Sequence, residues 1–160
     1  MLILGIDPGS RITGWGLLEA NGRQASYCDS GEIRLSADSP LENRLVVLGR
    51  RLEELLDRHS PQQCAVEKIF TARNARSALV LGHARGVILH AVARREIPIF
   101  EYAPTQIKQA VTGVGRATKD QITQMTALLL SLRKPFGEDE SDALAAALTH
   151  AAAARLRSLS

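Results

Sequence analysis

The stretch MLILGIDPGSRITGWGLLEANG (residues 1–22) sets the architecture. Its apolar run at 2–6 is broken at once by Asp7-Pro8-Gly9-Ser10, the pattern of a strand buried on both faces that ends in a turn. β-type residues resume at 13–18, Asn21-Gly22 supplies a hairpin signal, and a third β-type run fills 24–35. Three strands joined by short turns make an antiparallel meander, and Asp7 closes the first of them, which reads as a central, buried strand of the sheet. A carboxylate in that position must be solvated, paired or metal-bound, because burying it alone costs several kcal/mol.

Beyond residue 35 the apolar period changes from two to 3.6. Ser39-Pro40-Leu41-Glu42 reads as a capping box with Pro at the first helical position. It opens an amphipathic helix running to about residue 59, with Leu41, Leu45, Leu48, Leu52 and Leu55 on one face. A strand at 65–70 follows, then a helix rich in Ala and Leu at 76–95, stopped by Ile97-Pro98. A strand at 98–102 leads into a short helix at 104–112 that ends at Gly113. Thr118 and Gln121 form a second capping box for a helix to about 132, and the last helix spans 139–156. The order βββαβαβααα predicts an α/β domain: a mixed five-stranded sheet flanked by helices, one unit over 1–160 with no internal repeat.

Composition narrows the function classes. With 45% hydrophobic and 23% charged residues, the chain is a globular, core-forming sequence rather than a disordered one. No apolar run approaches the ~20 residues that span a bilayer, and Asp7 interrupts the N-terminal run too early for a signal peptide. The expectation is a cytoplasmic protein with no membrane partner. Cys28 and Cys64 lack C-x-x-C spacing and read as reduced, structural thiols. Twenty basic against 17 acidic residues leave +3, and the surface is more basic still if several acids are sequestered around cations. An aromatic content of 4% argues against a base-stacking platform. His59, His83, His90 and His150 form no nucleophilic triad, and there is no Walker loop.

The chemistry rests on four scattered acids. Asp7 and Glu67 each close an apolar strand, and parallel neighbours would set them side by side. Asp139 and Asp142 are three apart, about 60° on a helical wheel, and share one face. Such a set suits hard divalent cations and phosphate chemistry, where two ions about 3.5–4 Å apart stabilise the attacking and leaving oxygens. The residues also admit plainer readings. Acids at 138–142 complement a helix N-terminus, and Glu138, about 40° from Asp142, fits the spacing as Asp139 does. Asp7 before Pro-Gly is a common turn residue. Glu67 is harder to read as structural, because it would need a buried partner.

Gly5-Ile6-Asp7-Pro8-Gly9-Ser10 with Thr13-Gly14-Trp15-Gly16, then Val66-Glu67-Lys68-Ile69-Phe70 with Asn74 and Ser77, stand in a telling order. Leu81-Gly82-His83-Ala84-Arg85-Gly86, Tyr102-Ala103-Pro104-Thr105-Gln106-Ile107-Lys108, Gly113-Val114-Gly115 with Lys119, and Asp139 to Asp142-Ala143-Leu144-Ala145 complete it. This ordered set, covering nearly the whole chain, resembles the RuvC family of Holliday junction resolvases. The resemblance implies a ribonuclease H-like fold, a homodimer, and cleavage of four-way DNA junctions with Mg²⁺, for which Mn²⁺ is a possible substitute. It implies two ions per site held by Asp7, Glu67, Asp139 and Asp142, with Asp7 bridging, and paired nicks that leave ligatable 5′-phosphate and 3′-hydroxyl ends. Some family members carry His where Asp139 stands. Phe70 resembles the family's wedge at the crossover, and Lys108 and Lys119 its lysines near the scissile strand. Arg73 and Arg76, just past Phe70, are candidates for backbone phosphates. RuvA and RuvB are the implied partners, and the 76–95 helix is the candidate dimer surface.

Three rivals share some of these features. An actin-like ATPase also opens on an apolar strand, Asp and a Gly-bearing hairpin, but needs a second lobe and a second phosphate loop. An RNA nuclease of the same fold and a junction-binding module without catalysis are closer. Substrate comparison separates the first of these, and metal-dependent turnover the second.

Overall fold

The computed structural model describes residues 1–22, 24–68, 75–132 and 137–158, of Ser158 the backbone alone. Strands β1 (Leu2–Asp7), β2 (Ile12–Asn21), β3 (Gln24–Arg34), β4 (Gln63–Glu67) and β5 (Ile99–Tyr102) form one sheet, ordered β3-β2-β1-β4-β5. The meander β1–β2–β3 is antiparallel, while β4 and β5 join parallel to β1 and to each other. Helices α1 (Leu41–His59) and α2 (Ala75–Ala93) cover one face; α3 (Pro104–Thr112), α4 (Lys119–Leu129) and α5 (Glu138–Ser158) cover the other. This is the mixed five-stranded α/β sheet expected from the chain.

Alternation along the central strands divides the core. Leu4, Ile6, Cys64 and Val66 pack toward α1 and α2, where Leu48, Leu52, Leu56 and Ile88 are fully or almost fully buried. Ile3, Leu18 and Ala65 face α5, met by Leu144 and the small residues Ala145, Ala146 and Ala147. Asp7 and Glu67 continue the second register, so both carboxylates leave the sheet on the α5 side.

Several boundaries differ from the expectation for identifiable reasons. Pro40 is the N-cap of α1, not its first helical residue, and no side chain caps the helix, so there is no capping box. The Ser39 N–H instead reaches Ser36 O at 3.4 Å in the preceding turn. β4 starts at Gln63, two residues early, because its pairing with β1 already begins at Ile3↔Gln63. α4 stops at Leu129, since Ser131 takes a left-handed conformation (φ 53°). The Thr118–Gln121 capping box is present, with Thr118 N donating to Gln121 Oε1 at 2.9 Å and Gln121 N to Thr118 Oγ1 at 3.3 Å.

Candidate active site

Parallel pairing of Ile6 with Val66 brings the ends of β1 and β4 together, and with them Asp7 and Glu67. The third acid arrives by close approach of α5 to the sheet. Gly5 pairs with Gly16 and Asp7 with Gly14, leaving a patch without side chains beside the strand ends. A Cβ on Gly5 would lie 2.0 Å from Ala143 O, and one on Gly14 would lie 1.9 Å from Asp139 O. Only glycine at these places lets the first turns of α5 rest on the backbone. Asp139 thus sits over Gly14, directly across from Asp7.

Asp7, Glu67 and Asp142 line a cleft of about 300 Å³ together with Lys108 and Lys119. Pro104, Ile107 and Ile122 form its apolar walls. Asp139 is not among the lining residues and stands at the rim, yet it still bears electrostatically on Asp7. Glu138 and Asp139, the two acids between which the helical spacing left the choice open, are placed differently, and neither lines the cleft. Glu138 is exposed and ion-paired with Lys119, whereas Asp139 lies against the sheet.

The charges in the cleft are poorly compensated. Burial foremost, then Glu67 and Asp142, then a hydrogen bond shared with Glu67 and the field of Asp139, push Asp7 well above the ordinary carboxylate range. Burial also raises Glu67, against the opposing pull of Asp7, Lys119 and Lys108. Asp142 is pushed up to about 6, mainly by burial, although Lys119 Nζ stands 3.9 Å away. Lys119 is itself raised, first by its bond to Glu138. Among the described residues no three His, Cys, Asp or Glu side chains are already arranged to hold one metal ion. The donor chemistry nonetheless fits a hard cation: buried, mutually repelling carboxylates that share a proton where no cation neutralises them.

The loop after Asp7 is held from β2 and α1. Thr13, fully buried, places Oγ1 3.5 Å from Gly9 N and 3.3 Å from Gly9 O, and Arg44 Nη1 donates to Ser10 O at 3.4 Å. Arg76 lies exposed in the first turn of α2 and is not a cleft residue. Phe70 and Arg73 fall outside the described residues. Sequence reasoning did not assign the apolar walls or the glycine patch. The alternation Gly14-Trp15-Gly16 was the available signal, since two glycines on one strand face invite a close neighbour.

The family model for crossover junction endodeoxyribonuclease RuvC matches residues 3–150. The chain is 48% identical over 151 residues to the crossover junction endodeoxyribonuclease RuvC of Syntrophotalea carbinolica, covering 94% of each chain. It is 48% identical over 149 residues to that of Legionella pneumophila subsp. pneumophila, covering 93% of this chain and 86% of the relative. T. thermophilus RuvC in complex with Holliday junction substrate superposes with a TM-score of 0.92 at 34% identity, over 98% of this chain and 96% of that one.

Proposed function

The chain belongs to the RuvC family of crossover junction endodeoxyribonucleases, and we infer from that membership and from its acidic cleft that it resolves Holliday junctions as an endonuclease. The reaction is phosphodiester hydrolysis in paired nicks, leaving 5′-phosphate and 3′-hydroxyl ends. The observation that carries this reading is the meeting of Asp7, Glu67 and Asp142 with two lysines in one cleft.

Asp7, Glu67 and Asp142, with Asp139 at the rim, are the residues that would hold two divalent cations. Mg²⁺ is favoured by an all-carboxylate donor set, with Mn²⁺ accepted by the same oxygens. Bound there, the cations supply Lewis-acid stabilisation of phosphate charge and a lower pKa for water. The chain's own residues do the rest. Lys108 and Lys119 line the same cleft as the acids, where their charge draws the DNA phosphate in and favours its more negative transition state. Ile107 and Ile122 narrow the space open to water on that side. β1 and the loop held by Thr13 fix the backbone from which the Asp7 carboxylate enters the cleft.

Paired cuts in strands of like polarity require two sites related by a two-fold axis, which a homodimer supplies. We place its surface on α2, where Leu79 is 65% exposed beside Ala78, Gly82 and Gly86. Arg76 on the same helix is a candidate junction contact, as are Phe70 and Arg73, which lie outside the described residues. Partnership with RuvA and RuvB belongs to the same reading. Among the described residues no helix is long and apolar enough to cross a membrane.

The test compares a labelled four-way junction with a matched linear duplex and an RNA substrate. Each is run in Mg²⁺ or chelator, with wild type and Asp7→Asn. Ligatable paired nicks confined to the junction, lost in chelator and in the variant, are the expected result. Binding without cutting would make the protein a junction-binding module, and preference for RNA would make it an RNA nuclease.

A further inference from the structure

Glu67 ends its strand with a backbone problem that the sequence of β1 creates. Lys68 N bonds Tyr102 O at 2.8 Å and Cys64 N bonds Pro98 O at 2.9 Å, so even-numbered residues of β4 turn their peptide groups toward β5. The odd-numbered ones face β1. In the parallel register Gly5↔Ala65 and Ile6↔Val66, carried one step on, Asp7 stands beside Glu67. The N–H due to meet the Glu67 carbonyl is then that of residue 8. Residue 8 is proline and has no N–H to give.

A side chain from another element fills the gap. Arg85, on α2, donates from Nη1 to Glu67 O at 2.8 Å. Its other terminal nitrogen is ion-paired with Glu101 on β5. The Arg85 side chain is only 15% exposed and points away from the cleft, across the α2 side of the sheet. A planar guanidinium held at one prong by a carboxylate presents the other in a set direction, which a lysine ammonium does not.

We propose that Arg85 is a positioning residue of the cleavage site: it replaces the ladder donor that Pro8 lacks, and so fixes the peptide from which the Glu67 carboxylate reaches into the cleft. Glu101 holds Arg85 in that role. Asp7-Pro8 at one strand end and Arg85 far along the chain form one device. The proline ends β1 just after Asp7, whose carboxylate the strand alternation already aims at the site, and the arginine repairs the neighbouring strand end. Because Arg85 belongs to α2, the acidic site is tied to the helix with the exposed apolar face. The role assigned to Glu67 rests on the functional reading above.

The test uses the full-length protein as Arg85→Met, Arg85→Lys and Glu101→Gln. One readout is the Mg²⁺ concentration giving half of the ion-induced rise in Tm. The other is the single-turnover junction cleavage rate, set against junction affinity measured in chelator. Arg85→Met is expected to raise the Mg²⁺ midpoint and lower the cleavage rate by about 10-fold or more each, as loss of an outer-sphere partner does, with junction affinity unchanged. Arg85→Lys should recover part of both, because it restores a donor without the planar fork.

A wild-type Mg²⁺ midpoint in Arg85→Met overturns the proposal. So does loss of junction affinity in step with rate, which would make Arg85 a DNA contact. Should Arg85→Met fail to fold, Arg85→Lys and Glu101→Gln carry the same expectation with smaller displacements, and wild-type midpoints in both overturn it. If the wild type responds to Mg²⁺ yet cuts no junction, the endonuclease reading fails while the ion midpoints still decide Arg85. A wild type indifferent to Mg²⁺ overturns both.

Discussion

Removing a carboxylate from the cleft should make the cation-free protein more stable. Asp142 is raised from an ordinary 3.8 to about 6, chiefly by burial, and its side chain is only 20% exposed. Because the folded pKa lies above the unfolded one, the folded state holds more protons between those values. Stability therefore falls as pH rises from 3.8 to about 6, and the whole penalty is present above it. At 1.36 kcal/mol per pKa unit the shift corresponds to roughly 3 kcal/mol, which bounds the effect from above. Relaxation and water entry leave about 1–3 kcal/mol, or ~3–10 °C in Tm for a chain of this size. The perturbation is Asp142→Asn, and the assay is thermal unfolding of both proteins in chelator from pH 4 to pH 7.5.

The wild-type curve alone does not isolate this group. Burial foremost, and then Arg157, lower His150 to about 4, so its contribution has the opposite slope in the same window. The difference between wild type and Asp142→Asn cancels His150 and leaves Asp142 together with the repulsion it shares with Asp7 and Glu67. Asp142→Asn should be the more stable protein at pH 7.5, with the gap closing toward pH 4. Mg²⁺ should then stabilise the wild type by about 2.7 kcal/mol at 100 times its dissociation constant and the variant by less. An Asp142→Asn protein no more stable than wild type at pH 7.5, or a gap that does not narrow in acid, would disprove the account of uncompensated charge.

Other expectations follow from the same geometry. Gly14→Ala drives a methyl group into Asp139 O and should cost about 1–3 kcal/mol by chemical denaturation, with junction cleavage falling as α5 is lifted. Lys108→Ala should weaken junction binding and flatten the slope of log affinity against log salt by about 0.9, measured by titration at several salt concentrations. His150 accepts from Tyr102 Oη at its Nδ1 (2.7 Å) and donates from Nε2 to Gln63 Oε1 (2.6 Å), the neutral tautomer that burial favours. The contribution of His150 to stability should therefore be lost as pH falls from 6.5 toward about 4, against the gain from the cleft carboxylates, and the stability difference between wild type and His150→Gln should change across that limb of the denaturation profile.

Much of the site was readable along the chain because its logic is local. An apolar run cut short by an acid and a proline marks a strand end whether or not its neighbours are known, and Asp7 stood out that way; Glu67 stood out as an acid in an apolar strand that would need a buried partner. The Thr118–Gln121 box and the Gly113 stop bound α4 and α3 through contacts a few residues long, and both were legible for that reason. Pro40 misled because Ser-Pro satisfies a capping pattern that a proline N-cap equally satisfies without any side-chain bond.

What no local pattern contains is how distant elements approach one another. Parallel pairing of β1 with β4 puts the two strand-end acids side by side, and a bare glycine patch lets α5 lie close enough to add Asp142 while leaving Asp139 at the rim. The same non-local geometry turned Glu138 toward Lys119 and brought Arg85 to a carbonyl that Pro8 cannot serve. Residue chemistry and its period along the chain are written in the order of amino acids. Distances between strand ends, and which buried charges face each other uncompensated, arise only when sheet register and helix packing bring those residues together.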